Sequence, residues 1–151
     1  MVSVEDSPNK FDRGRFADKF NFIVREAVVP QLSATNRDEA IRELVTSLVK
    51  TGAVRPDAQD AILAALLKRE GLGSTGIGNG VAVPHAKCEA VDRVIGTMGW
   101  SKAGIDFGAI DQKAVYLVIL VVFPPDHAGA YLRALEEISR ELRDLPRPLG
   151  P

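Results

Sequence analysis

The run AVYLVILVVF, from Ala114 to Phe123, constrains the fold more than any other stretch. It is apolar throughout and rich in β-branched residues, and Pro124–Pro125 closes it. An unbroken apolar strand has to be covered on both faces, so this segment reads as a buried central strand. It is too short to cross a bilayer as a helix, which needs roughly 20 residues. No membrane insertion is expected.

Helical patterns flank it. Asn36 offers an N-cap with Glu39 three residues on, and Ile41, Leu44, Val45, Leu48 and Val49 then repeat at helical spacing up to Gly52. A second helix begins near Pro56, with Asp57 and Asp60 at its positive end. It carries Ile62, Leu63, Leu66 and Leu67 and stops at KREGLG. Short strands are expected over Phe22–Arg25, over VAVPH with Pro84 as its stop, and over RVIGTMGWS, while GIDFGAIDQKA reads as turns. A last helix runs from about Gly129 to Asp144, with Leu132, Leu135, Ile138 and Leu142 on one face. This order predicts an α/β fold, a single domain with a central mixed β-sheet flanked by helices, over residues 21–146. Residues 1–20 read as a flexible leader and 147–151 as a tail.

Composition narrows the function. At 151 residues the chain suits one domain, and a net charge of −1 gives no reason to expect nucleic acid or an anionic membrane as partner. Cys88 is the single cysteine, so no internal disulfide can form and a reducing, cytoplasmic setting is expected. The first twenty residues lack the basic-then-apolar order of a signal peptide.

The chemistry concentrates in GSTGIGNGVAVPHAK, residues 73–87. GLGSTG matches the dinucleotide pattern G-x-G-x-x-G, but a helix precedes it and a strand follows, the reverse of what a pyrophosphate site needs. No Gly-Lys-Ser/Thr follows, so a nucleotide P-loop fails as well. HAKC pairs His85 with Cys88, and His127 is the other histidine, yet no recurrent zinc spacing exists. Neither a metal nor a cofactor is expected. No serine-nucleophile elbow is present. The residues leave open a purely structural glycine turn, a proton-moving histidine, and a nucleophilic His85 aimed by Pro84 and largely neutral near pH 7.

KREGLGSTGIGNGVAVPHAK, with NRDEAIRELV before it and GIDFGAIDQKAVYLVILVVFPPD after it, resembles the enzyme IIA domains of the phosphotransferase system. The likeness is to the fructose, mannitol and nitrogen-regulatory class, and the GSTGIGNG wording is closest to the nitrogen-regulatory branch. The resemblance implies that His85 accepts a phosphoryl group from phosphorylated HPr or a related carrier. It then passes the group to a IIB partner or uses it as a regulatory signal. Arg69 matches the family's active-site arginine. Ser74, Thr75, Gly76, Gly78 and Asn79 then read as a loop whose backbone donors surround the phosphoryl group. Two departures stand out. The second histidine that opens the family's last helix is here Tyr131, with His127 four residues earlier. The family usually continues past that helix, whereas this sequence reads RPLGP. An alternative follows from both: a regulatory protein-binding module with weak or no phosphotransfer.

Overall fold

The computed structural model describes residues 11–150. Four α-helices are α1 (Arg13–Asp18), α2 (Arg37–Lys50), α3 (Gln59–Leu72) and α4 (Ala128–Glu141). Five strands form one mixed sheet: β1 (Gly76–Gly78), β2 (Val81–Ala82), β3 (His85–Lys87), β4 (Ile95–Ile105) and β5 (Val115–Phe123).

The apolar run is β5, and it is the spine of the sheet. β4 lies antiparallel along one edge. Along the other edge β2 and β3 follow one another, both parallel to β5, with Val81 opposite Leu117 and His85 opposite Val121. Leu117, Ile119 and Val121 point to one face, where Phe16 and Phe20 near α1 and Ala134 and Ile138 of α4 cover them. Val118, Leu120 and Val122 point to the other, beneath Ile41, Leu44 and Leu48 of α2 and Ile62 and Leu66 of α3. Full burial of such side chains contributes about 1.5–3 kcal/mol each. The sandwich of helix layers around one sheet is the expected α/β arrangement.

Local signals behave as chemistry dictates at α2, where the Asn36 side chain accepts from the Glu39 amide at 2.9 Å. Elsewhere the structure corrects the sequence. The first half of the expected flexible leader lies outside the described residues. Within the second half the chain forms α1, capped by Asp12, which accepts from the Arg15 amide at 3.0 Å. Phe16 meets Phe20 edge-on at 5.3 Å and Trp100 at 6.5 Å, so this segment seals the sheet rather than dangling from it. The strand expected over Phe22–Arg25 is a single bridge from Ile23 to Gly96, and a 3₁₀ turn begins at Arg25. Of the apolar face expected on the last helix, Ile138 is buried and Leu135 and Leu142 pack half-buried against the same cluster, but Leu132 is 58% exposed and Ala134 is buried instead. β2 ends at Ala82, just short of Pro84 as expected, but the edge of β5 is taken up again at once by β3.

Candidate functional site

His85 opens β3 directly after the proline break. Its Nδ1 lies 2.7 Å from the carbonyl oxygen of Val83. A carbonyl oxygen only accepts, so Nδ1 carries the proton and Nε2 keeps its lone pair. Burial, above all, pushes the imidazole below its ordinary pKa; the Val83 hydrogen bond opposes this, the Arg69 charge adds to it, and the Glu70 charge opposes it. The ring therefore stays neutral and nucleophilic at pH 7.

Two other elements end beside it. Arg69, in the last turn of α3, donates from Nη1 to the Gly73 carbonyl at 2.8 Å. The fork's other N–H groups remain available to an anion. Tyr131, in the first turn of α4, stacks on Phe123 with ring centroids 3.7 Å apart and 14° between planes. Its ring centroid is 5.7 Å from that of His85. Burial raises the Tyr131 pKa and the Arg69 charge opposes the rise, so the phenol stays protonated. The structure thus brings His85, Arg69 and Tyr131 together. His127 stands apart, with Nδ1 2.9 Å from Asp126 Oδ1 on the surface.

The glycine segment is arranged differently from the expected donor loop. Residues 76–82 are a hairpin, with β1 antiparallel to β2 and Gly78 level with Val81. Its two-residue turn is Asn79–Gly80, with φ of 57° and 82°, the geometry that favours Asn-Gly between paired strands. Gly78 and Asn79 therefore lie four residues of strand from His85, about 13 Å. Several amides expected to face a phosphate are already engaged. Thr75 N donates to Glu70 Oε2 at 3.3 Å, Gly76 N to Ser74 Oγ at 3.0 Å, and Asn79 N to Asp111 Oδ2 at 3.1 Å. The Ser74 hydroxyl donates to the Phe107 carbonyl and the Thr75 hydroxyl to Glu70. Of the five loop residues, Thr75 is tied to the backbone beside His85, its carbonyl accepting from Val83 N at 3.0 Å, while Gly76 pairs with Ala82 and Gly78 and Asn79 build the turn. Sequence reasoning missed Glu70 altogether, although a carboxylate beside Arg69 and five residues before a threonine was visible. It also missed the hairpin, whose Asn-Gly signal lies inside GIGNGVAV.

Among the described residues no group of three or more His, Cys, Asp or Glu side chains is placed to hold a metal ion. Among the described residues no helix is long and apolar enough to cross a membrane. Leu72, just past Arg69 on α3, is 81% exposed, and Leu132, beside Tyr131, is also largely exposed.

A neutral imidazole with a bare Nε2, a guanidinium fork and a phenol thus converge at one end of a mixed sheet. The family model for the phosphoenolpyruvate-dependent sugar phosphotransferase system, EIIA 2, matches residues 21–146, and the chain belongs to that family. Both branches of the family have relatives of this chain. A nitrogen regulatory protein of Bradyrhizobium diazoefficiens is 33% identical over 124 residues, spanning 82% of this chain and 79% of that protein. A fructose-specific EIIA component of Haloferax volcanii is 39% identical over 106 residues, spanning 70% and 68%. Among solved structures, nitrogen regulatory protein IIA-Ntr from Neisseria meningitidis superposes with a TM-score of 0.69 at 25% identity, over 77% of each chain. The mannitol IIA of Escherichia coli, solved in complex with phosphorylated IIB, superposes with a TM-score of 0.58 at 26% identity, over 74% of this chain and 76% of that one.

Proposed function

We propose that this protein performs the phosphoryl-carrier role of its family through Nε2 of His85. The observation that carries the reading is the Nδ1–H bond to Val83, which leaves Nε2 unprotonated on a ring that burial keeps neutral. The Nε2 lone pair attacks the phosphorus of a phosphohistidine on an HPr-type carrier. The new N–P bond forms as the donor's N–P bond breaks, and the donor imidazole leaves with the electron pair. Charge on the three equatorial oxygens is stabilised by the Arg69 fork and by a hydrogen bond from the Tyr131 hydroxyl. The Val83 carbonyl stabilises the positive charge that develops on the acceptor ring through Nδ1–H.

The onward step goes to a IIB domain or to a regulatory target in the cytoplasm. Support for the first is the mannitol IIA neighbour, solved with phosphorylated IIB. Support for the second is the likeness to nitrogen regulatory proteins. Exposed Leu72 and Leu132 give either partner apolar contact at the rim of the site. Mixing with a phosphorylated HPr-type carrier should add the mass of one acid-labile phosphoryl group, and His85→Ala should abolish the gain. Undiminished uptake by His85→Ala would refute the assignment.

A further inference from the structure

Glu70 is 2% exposed, a carboxylate on the last turn of α3 that the phosphoryl-transfer step does not touch. Burying such a group is costly unless it is hydrogen-bonded, and here Thr75 supplies both donors: its amide meets Oε2 at 3.3 Å and its hydroxyl meets Oε1.

The consequence reaches the acceptor through the backbone. A hydrogen-bonded pair across antiparallel strands exchanges two bonds, each residue's N–H meeting the other's carbonyl. Val83 N donates to Thr75 O at 3.0 Å, which is one half of such a pair. The other half, Thr75 N to Val83 O, is not made, because Glu70 takes that N–H. The Val83 carbonyl, which could accept two bonds, is thereby left undivided to Nδ1 of His85 at 2.7 Å.

We infer that Glu70 is a positioning residue for phosphoryl acceptance: by capturing the Thr75 amide it frees the Val83 carbonyl to hold His85 in the Nδ1–H tautomer, with Nε2 exposed to the donor. This rests on the His85 reading above. It also explains an arrangement the loop chemistry alone does not, a buried acid sharing one residue's two donors next to a cationic arginine. Glu70→Met fills the same space without an acceptor, so Thr75 N–H closes on Val83 O and competes with the imidazole.

Nitrogen-15 NMR of the full chain at pH 8 reads the tautomer of His85 directly. The wild type should show a protonated Nδ1 and a bare Nε2. Glu70→Met should show a mixture of tautomers. Its kcat for uptake from a phosphorylated HPr-type carrier should fall about tenfold, the low end of what losing an outer partner of a functional histidine costs. KM should be unchanged. Thr75→Val removes only the hydroxyl donor and leaves the amide on Glu70, so it should keep the wild-type tautomer; a general loosening of the loop would disturb both variants alike. Glu70→Gln, which retains one acceptor, should restore the Nδ1–H form. A wild-type ring protonated on Nε2 overturns the inference without any variant, as does a folded Glu70→Met with wild-type tautomer and kcat. The first outcome would also remove the ground for transfer through Nε2; the second leaves the carrier reading untouched, and His85→Ala tests that reading apart from either.

Discussion

Arg69→Gln separates catalysis from stability. In the folded protein the guanidinium makes one hydrogen bond, to the Gly73 carbonyl at 2.8 Å, on an exposed helix end. Losing it costs about 0.5–1 kcal/mol of stability. Losing a charged donor aimed at oxygens that gain charge in the transition state costs far more, about 2.7–4 kcal/mol or 10²–10³ in rate. The variant should therefore melt close to the wild type and accept phosphate at less than a hundredth of its rate. Quench-flow measurement of acid-labile phosphate from a phosphorylated carrier, paired with thermal unfolding, reads the two effects separately. The charge has a second signature. Arg69 helps to lower the His85 pKa, so its removal should raise that pKa, with burial still opposing the rise. Arg69→Lys keeps the charge but loses the planar fork, and should recover only part of the rate. The reasoning fails if Arg69→Gln accepts phosphate within a few-fold of the wild-type rate, or if its lost rate merely follows lost folded protein.

Three further outcomes are expected. Burial is the main cause of the low His85 pKa, so Tyr131→Ala, which opens one wall, should raise it toward 6.5 by NMR titration. Tyr131→Phe keeps the ring and should leave the titration in place while slowing phosphoryl uptake. Acid should destabilise the fold through the same group. With its folded pKa depressed, His85 binds fewer protons in the native than in the unfolded state, so stability is full above about 6.5 and declines below it, down through the folded value. Urea unfolding at several pH values should show that slope, and His85→Gln should flatten it. Leu120→Ala, at a fully buried position between β5 and α2, should cost about 2–5 kcal/mol in the same assay and leave the pH slope unaltered.

The parts of this fold that periodicity controls were legible in the chain. AVYLVILVVF announced a strand buried on both faces, and Asn36 with its following apolar stripe announced α2. What stayed hidden depends on tertiary pairing. Phe16 lies in a six-residue helix and Phe20 just past it, too short a stretch for a period to develop, and their burial comes from the sheet face that carries Trp100, Leu117 and Ile119. Proline reads as a strand stop because it lacks an N–H, yet Pro84 loses only a donor: its carbonyl still accepts from Val121 N at 2.9 Å. At the site, a nucleophilic His85 was one option legible from Pro84 and the imidazole itself, while Arg69 and Tyr131 were visible only through the resemblance. The glycines misled. Their spacing resembles a phosphate cradle, whereas Asn79–Gly80 is a hairpin turn pointing away from His85, and Asp111 pins it.

That misreading bears on how the site works. A loop of free amides would bind a phosphoryl group as a ligand, with affinity for inorganic phosphate to match. Here the amides of Thr75, Gly76 and Asn79 are engaged within the protein, and three side chains converge from the ends of three elements: Arg69 from α3, His85 from β3 and Tyr131 from α4. Placing each on a rigid element rather than a loop fixes their mutual geometry before the donor arrives. A carrier has to receive the group and then release it, so a tight anion nest would trap what must move on. On the proposed reading, the Arg69 fork and the Tyr131 phenol at the rim stabilise charge as it passes and leave the N–P bond on His85 open to the next acceptor. The design favours transfer over storage.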